Sequence, residues 1–167
     1  MYKKVPAVLS QEQIDYLLNQ YKNLNNQVEL NGESQHRHYP SGVGHFMISE
    51  LTKDELGSDI WKSVSDSIFP LNCVLVYSRI LSYWRTCFIP KHTDSYAGEW
   101  QAENDLSIII QLSDPADCTG GILLVDNKVQ NLNPGDLIMY TYNEEHEVKT
   151  IRNGTRYVLN LRCKMVK

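Results

Sequence analysis

Two side chains able to hold a divalent cation stand two residues apart in "IPKHTDSY" (89–96), namely His92 and Asp94. Alternate residues of an extended strand face one side, so the imidazole and the carboxylate would converge on one ion. An H-x-D pair alone recurs by chance in many chains. His146 opens "HEVKTIRNGTR" just after the loop "TYNEE" and supplies a second imidazole at the start of another strand. Two histidines and one carboxylate make the facial triad used for non-haem Fe(II), which leaves three coordination positions open. A structural zinc would close its tetrahedron with a fourth protein ligand, and no such residue is evident.

Open positions need an occupant. Arg156 comes ten residues after His146, just past the Asn153-Gly154 pair, and is expected on the strand that pairs with the histidine's own. From there a guanidinium would reach back to the metal pocket and grip a carboxylate through a two-pronged hydrogen bond. A dicarboxylate such as 2-oxoglutarate would chelate iron at its keto-acid end and meet Arg156 at the other.

The elements that must position these groups are legible in outline. "LSQEQIDYLLNQYKNL" starts a helix at Ser10, with Gln13 completing a capping box and Ile14, Leu17, Leu18 and Tyr21 on one face. "LTKDELGSDIWKSVSDSIF" repeats the arrangement with Thr52 and Glu55; Leu56, Ile60, Val64 and Ile68 recur every four residues, and Pro70 ends the helix. The polar stretch "NGESQHRHYPSGVGHF" between them reads as a loop, with a short strand at its end. Its histidines lack a defined spacing to other donors and are assigned to the loop surface. After residue 71 short apolar runs alternate with turn signals: "CVLVYSRILSY", "LSIIIQL", "GGILLV", "DLIMYTY", "HEVKTI" and "RYVLNLRC". That is the pattern of an all-β sandwich or barrel. Turns are expected at "NPGD" (133–136), "DNK" (126–128) and "RNGT" (152–155), the last as a type I′ hairpin at Asn153-Gly154.

A chain of 167 residues suits a single domain, 1–167, with helical support and loop over 1–70 and a β core over 71–167. Its 20 acidic and 16 basic residues give a formal charge of −4, so nothing draws the whole molecule toward phosphate backbones or anionic lipid. Cys73, Cys87, Cys118 and Cys163 lie far apart with no C-x-x-C spacing, which excludes ribbon- or finger-type zinc and a disulfide scaffold. The opening "MYKKVPAVLSQEQ" has no apolar core of a signal peptide, and no stretch reaches bilayer length. The expectation is a soluble, reduced, cytoplasmic domain without membrane partners.

Taken in order, "SYWRTCFIPKHTDSY", "LSIIIQLSDPADCTGGILLV", "LNPGDLIMY" and "HEVKTIRNGTRYVLNLR" resemble the Fe(II)/2-oxoglutarate-dependent dioxygenases of the prolyl-hydroxylase-like type, over roughly residues 72 to 166. The resemblance implies a mainly β fold, a double-stranded β-helix (a jelly roll related to the cupins) behind N-terminal helices, with iron near one open end. It implies His92, Asp94 and His146 as iron ligands and Arg156 as the co-substrate arginine. The family's tyrosine nine residues before the first histidine falls on Tyr83, whose hydroxyl would bond 2-oxoglutarate; the other reading is an aromatic filling the core. Gly120 and Gly121 match the family's Gly-Gly strand entry and are read as a bend. The implied reaction is oxidative decarboxylation of 2-oxoglutarate by O2, giving succinate and CO2, coupled to hydroxylation of an unactivated C–H bond. A prolyl residue of a protein or peptide is the family-level substrate.

Two departures stand out. Thr86 occupies a position that is often Gly in the family, so the turn there is expected to be shaped differently. Relatives nearest the oxygen-sensing hydroxylases carry Trp six residues after the arginine, where this chain has Arg162. Arg156, Val158, Asn160 and Arg162 share a strand face, so Arg162 either enters the pocket, to bind an anionic substrate or pair with an acid, or ends in solvent. Substrate contacts are expected from "SYAGEWQAEND" (95–105), with Tyr96, Trp100 and the flexible Gly98, and from Asn31 to Gly44. A nucleic-acid demethylase of the same superfamily is one alternative, since Arg156 and Arg162 fit its R-x5-R spacing. The acidic balance and the absence of a basic-aromatic groove weigh against it. The other alternative is a non-catalytic cupin-like module holding a metal or small ligand, which would not turn 2-oxoglutarate into succinate.

Overall fold

The runs rich in Ile, Val, Leu and Tyr after residue 71 become strands because β-branched and aromatic side chains pack well on a pleated surface. The computed structural model describes residues 2–30, 46–94 and 106–166. The first half of the chain forms β1 (Tyr2–Val5), α1 (Gln11–Asn23), β2 (Val28–Leu30), β3 (Phe46–Leu51), α2 (Lys53–Leu56) and α3 (Ser58–Ile68). Then come β4 (Cys73–Tyr83), β5 (Ile89–His92), β6 (Leu106–Gln111), β7 (Cys118–Gly120) and β8 (Leu123–Val125). The chain continues with β9 (Lys128–Gln130), β10 (Leu137–Thr141), β11 (His146–Val148), β12 (Ile151–Gly154) and β13 (Arg156–Met165).

Seven strands form a large antiparallel sheet in the order β1-β10-β6-β13-β4-β3-β2. A smaller sheet, β5-β11-β8-β9, and the pair β12-β7 complete a double-stranded β-helix. Alternation along the strands builds two cores. Ile80, Ile108, Ile110, Leu159 and Leu161 face α1 and α3, whereas Leu81, Ile109, Ile138, Tyr140 and Val158 face the interior shared with the small sheet. β6 is buried on both faces, which is why "LSIIIQ" reads as an unbroken apolar run. On the helical side Ile14, Leu17, Ile60, Val64 and Ile68 are at most 1% exposed, each contributing about 1.5–3 kcal/mol by burial.

Both capping boxes form: Ser10 with Gln13, and Thr52 with Glu55. The second helix is not continuous, however. Gly57 adopts φ +85 and breaks it into α2 and α3, so the four-residue repeat is carried across a kink. Residues 1–70 are also more than helical support, because β1, β2 and β3 join the large sheet.

The type I′ hairpin lies elsewhere than expected. Asp126 and Asn127 take φ +51 and +59 between the paired residues Val125 and Lys128, which joins β8 to β9 in that geometry. In the Asn153-Gly154 pair only the glycine has positive φ, and β12 pairs with β7 instead of folding back on β13. A Cβ on Gly154 would sit 1.9 Å from the Asp117 carbonyl oxygen, so close approach of two backbones explains that glycine.

Thr86 has φ +78, the left-handed backbone that a glycine adopts freely, and its amide donates to the Ile151 carbonyl at 2.9 Å. The turn therefore keeps a glycine's geometry while carrying a β-branched residue, which is strained there. Thr86→Gly is expected to stabilise the protein by about 1 kcal/mol after the glycine's larger unfolded-state entropy is deducted. A thermal melt should rise by about 2–4 °C; a fall would mean that no strain is stored at this turn.

Candidate metal centre and co-substrate pocket

β5 and β11 pair antiparallel with His146 directly opposite His92, and the register shifts immediately afterwards. The two imidazole centroids lie 4.1 Å apart. β5 ends at His92, so Asp94 lies beyond the strand instead of two places along it. The carboxylate reaches the imidazoles because the chain turns there, not because of strand alternation.

Each histidine is oriented by a carbonyl two residues earlier: His92 Nδ1 bonds Pro90 O at 2.8 Å and His146 Nδ1 bonds Glu144 O at 3.0 Å. A carbonyl only accepts, so Nδ1 carries the hydrogen and each Nε2 presents a lone pair of the kind that ligates metal. Those Nε2 atoms lie 3.8 Å (His92) and 3.7 Å (His146) from Asp94 Oδ1. Metal bonds of about 2.1 Å at right angles separate neighbouring donors by about 3 Å, so a small contraction would bring all three onto one ion. Burial, followed for His92 by the neighbouring His146, drops both imidazoles to about 4. Both are neutral at pH 7, the form that binds metal. Among the described residues this is the one cluster of three or more His, Cys, Asp or Glu donors.

Asp94 is held as firmly as the histidines. Arg162 approaches its carboxylate as a fork, with Nη1 at 2.5 Å from Oδ2 and Nη2 donating to Oδ1 at 2.7 Å. Ser107 Oγ donates to Oδ2 at 2.5 Å and also accepts from Arg162 Nη1, while Arg162 Nε donates to the Tyr77 hydroxyl at 3.1 Å. Burial alone would push the Asp94 carboxyl up. Arg162, then the two imidazoles and Ser107, pull it below the usual carboxylate range. Of the roles expected for Arg162, the structure has the one in which it pairs with an acid; it is buried and does not end in solvent.

Arg156, Val158, Asn160 and Arg162 all line one cavity of about 60 Å³, together with the three donors, Tyr83 and Tyr140. Arg156 is not on the strand paired with that of His146. β13 pairs with β4 and β6, so Arg156 faces Tyr83 across the large sheet and reaches the histidines through the interior. Its Nε donates to Gln111 Oε1 at 3.1 Å, and Gln111 is pinned in turn by donation to Ser113 O at 2.8 Å. Among the described residues no carboxylate lies within ion-pair distance of this buried guanidinium. A buried charge of that kind calls for an anion. Gly121 clears its path, since a Cβ there would meet Ile151 Cδ1 at 2.2 Å and Arg156 Cδ at 3.3 Å. The Tyr83 ring is 1% exposed, stacks on Phe46 and lies 5.6 Å beneath the Arg156 guanidinium carbon. It fills the core and lines the cavity at once.

Sequence reasoning missed Ser107 and Gln111. The available signal was two polar residues four apart in the apolar run "LSIIIQ", hence on one strand face. Tyr96 and Trp100, both candidate lids, and the histidines of the first loop lie outside the described residues. A larger groove of about 860 Å³ runs between the helices and the start of β4, away from these donors.

The chain has the double-stranded β-helix of the 2OG-Fe(II) oxygenases, with the donor set in the interior between its sheets. The crystal structure of an oxidoreductase of the 2OG-Fe(II) oxygenase family from Burkholderia pseudomallei is similar at TM-score 0.75 and 15% identity, covering 98% of this chain and 84% of that one. The viral collagen prolyl hydroxylase of Paramecium Bursaria Chlorella virus-1, crystallised as a 2OG complex, gives TM-score 0.67 and 13% identity over 99% of this chain and 96% of that one. In sequence, a PKHD-type hydroxylase of Crocosphaera subtropica (strain ATCC 51142 / BH68) is 32% identical over 74 residues, 41% of this chain. That match spans about a third of the relative's length (33%). No family model matches the sequence.

Proposed function

We propose that this protein is an Fe(II)- and 2-oxoglutarate-dependent dioxygenase that hydroxylates an unactivated C–H bond. The observation that carries the reading is one small cavity containing both a convergent His92-Asp94-His146 donor set and a buried arginine with no carboxylate partner among the described residues. Iron bound there with 2-oxoglutarate and O2 would supply oxidative decarboxylation to succinate and CO2 coupled to the hydroxylation. His92 and His146 hold the ion through Nε2, and Asp94 contributes Oδ1, the oxygen nearer the imidazoles. Arg156 grips the far carboxylate of the co-substrate, with Tyr83 beside it as a second donor. Apolar walls from β6, β8 and β11 (Ile109, Leu123 and Val148) keep bulk water from the reacting atoms.

A prolyl residue of a protein or peptide is the proposed substrate class, supported by the hydroxylase and prolyl hydroxylase names among the relatives. The nucleic-acid reading loses its second arginine, because Arg162 is buried against Asp94. No helix among the described residues is long and apolar enough to cross a membrane. A reducing, cytoplasmic setting is part of the proposal, from the wide spacing of the four cysteines in the sequence.

Anaerobic addition of Fe(II) and 2-oxoglutarate should produce the visible charge-transfer band of the chelate. Admitting O2 with a proline-containing peptide should then release succinate. A band without turnover on any peptide or small amino acid would leave only the binding-module reading. Arg156→Leu is expected to raise the 2-oxoglutarate concentration for half-maximal band by at least about 30-fold, since truncating one partner of a buried charge pair costs about 2–5 kcal/mol. Unchanged co-substrate affinity in that variant would remove Arg156 from the site.

A further inference from the structure

Of the four cysteines, two lie side by side on neighbouring strands. Cys163 on β13 stands opposite Leu75, and Cys73 at the start of β4 stands opposite Met165, so the two thiols are diagonal neighbours two places apart. The β-bulge between Arg162 and Cys163 leaves Val76 unmatched and sends the side chains past it toward the helical core, where Cys73 packs against the cluster containing Cys163. The shared face and the common cluster bring the two side chains to the same patch of core. Cys73 borders the 860 Å³ groove and is half-buried, whereas Cys163 is 0% exposed.

We propose that Cys73 and Cys163 are a peroxide-responsive dithiol, Cys73 the attacking thiol and Cys163 the resolving one, closing a reversible disulfide between β4 and β13. Solvent reaches Cys73 through the groove, whereas Cys163 is closed to it. The neighbouring Cys163 thiol pulls Cys73 below its ordinary range, while burial pushes Cys87 and Cys118 up. A part-exposed thiol with a second thiol two places away on the same sheet face is the arrangement that favours sulfenic acid formation and resolution. In the first step the Cys73 sulfur takes one oxygen from the hydroperoxide and water or alcohol leaves. In the second the Cys163 sulfur displaces that oxygen as water, so two thiols and one peroxide give one disulfide and two hydroxylic products. Diagonal strand neighbours sit about 1.5–2 Å farther apart than a relaxed disulfide prefers. Closure must draw the ends of β4 and β13 together, which makes the bridge easy to reduce again. Cys163 directly follows Arg162, so the bridge would form one residue from the group that holds Asp94.

The test needs neither iron nor 2-oxoglutarate, so its outcome is independent of the oxygenase reading. The full chain is treated with one equivalent of hydrogen peroxide, its remaining thiols are alkylated, and it is mapped by non-reducing mass spectrometry. The expected result is loss of two of the four thiols, a peptide linking Cys73 to Cys163 about 2 Da lighter than the sum of its parts, and full reversal by dithiothreitol. Cys163→Ala should instead hold Cys73 as a sulfenic acid trapped by dimedone. Four thiols still alkylated after peroxide, Cys73 oxidised while Cys163 stays free in the unsubstituted chain, or a bridge through Cys87 or Cys118 would each overturn the proposal.

Discussion

His92→Ala or His146→Ala is expected to abolish the visible Fe(II)–2-oxoglutarate band and to weaken divalent-metal binding by more than about 100-fold, beyond what loss of a ligand's orienting partner costs. The two rings face one another across the β5–β11 register and bring their Nε2 atoms near one carboxylate oxygen. Removing either leaves a two-point site that cannot set the angle for a bidentate keto acid. The rings pack on one another and His146 on Tyr140, so a circular-dichroism spectrum matching the parent's is the control that each variant stays folded. Metal titration followed by the thermal shift from added Mn(II) checks the lost binding: a full-sized shift in either variant would remove that histidine from the site.

Arg162→Met should destabilise the metal-free protein by about 3–5 kcal/mol, the usual effect of stranding one member of a buried ion pair. For a chain of this length that lowers the melting temperature by about 6–20 °C. Asp94 then keeps Ser107 as its donor but loses the fork that offsets its charge. A dication can replace that offset, so Mn(II) should raise the melting point of the variant more than that of the parent. The double variant Asp94→Asn/Arg162→Met should recover much of the loss, because no buried charge is left unpaired. A metal-free melting point unchanged in Arg162→Met would mean that the fork does not hold Asp94 in solution.

The three donors were legible because residue type and strand-end position are local properties, as were the capping boxes at Ser10 and Thr52 and the outline of β4, β6, β10 and β13. What escaped was non-local or hidden in backbone sign. Periodicity tells which residues of β13 share a face, but not that β13 pairs with β4 and β6 and leaves β11 to β5 and β8. Nothing near Arg162 in the chain identifies Asp94, 68 residues away, as its partner. Positive φ at Thr86, Asp126 and Asn127 involves no glycine, whereas Gly57 reads equally well as a tolerated helix interior or a break.

Strand β1 has a consequence for handling the protein. It covers the outer flank of β10, whose first four residues are all buried, with Tyr2 to Val5 pairing against Tyr140 to Leu137. Stripping those few N-terminal residues would uncover a hydrophobic ladder of free amides and carbonyls, a template on which a second molecule could stack. Trimmed preparations should therefore clump before they lose their fold, and any purification handle is better placed at the other terminus.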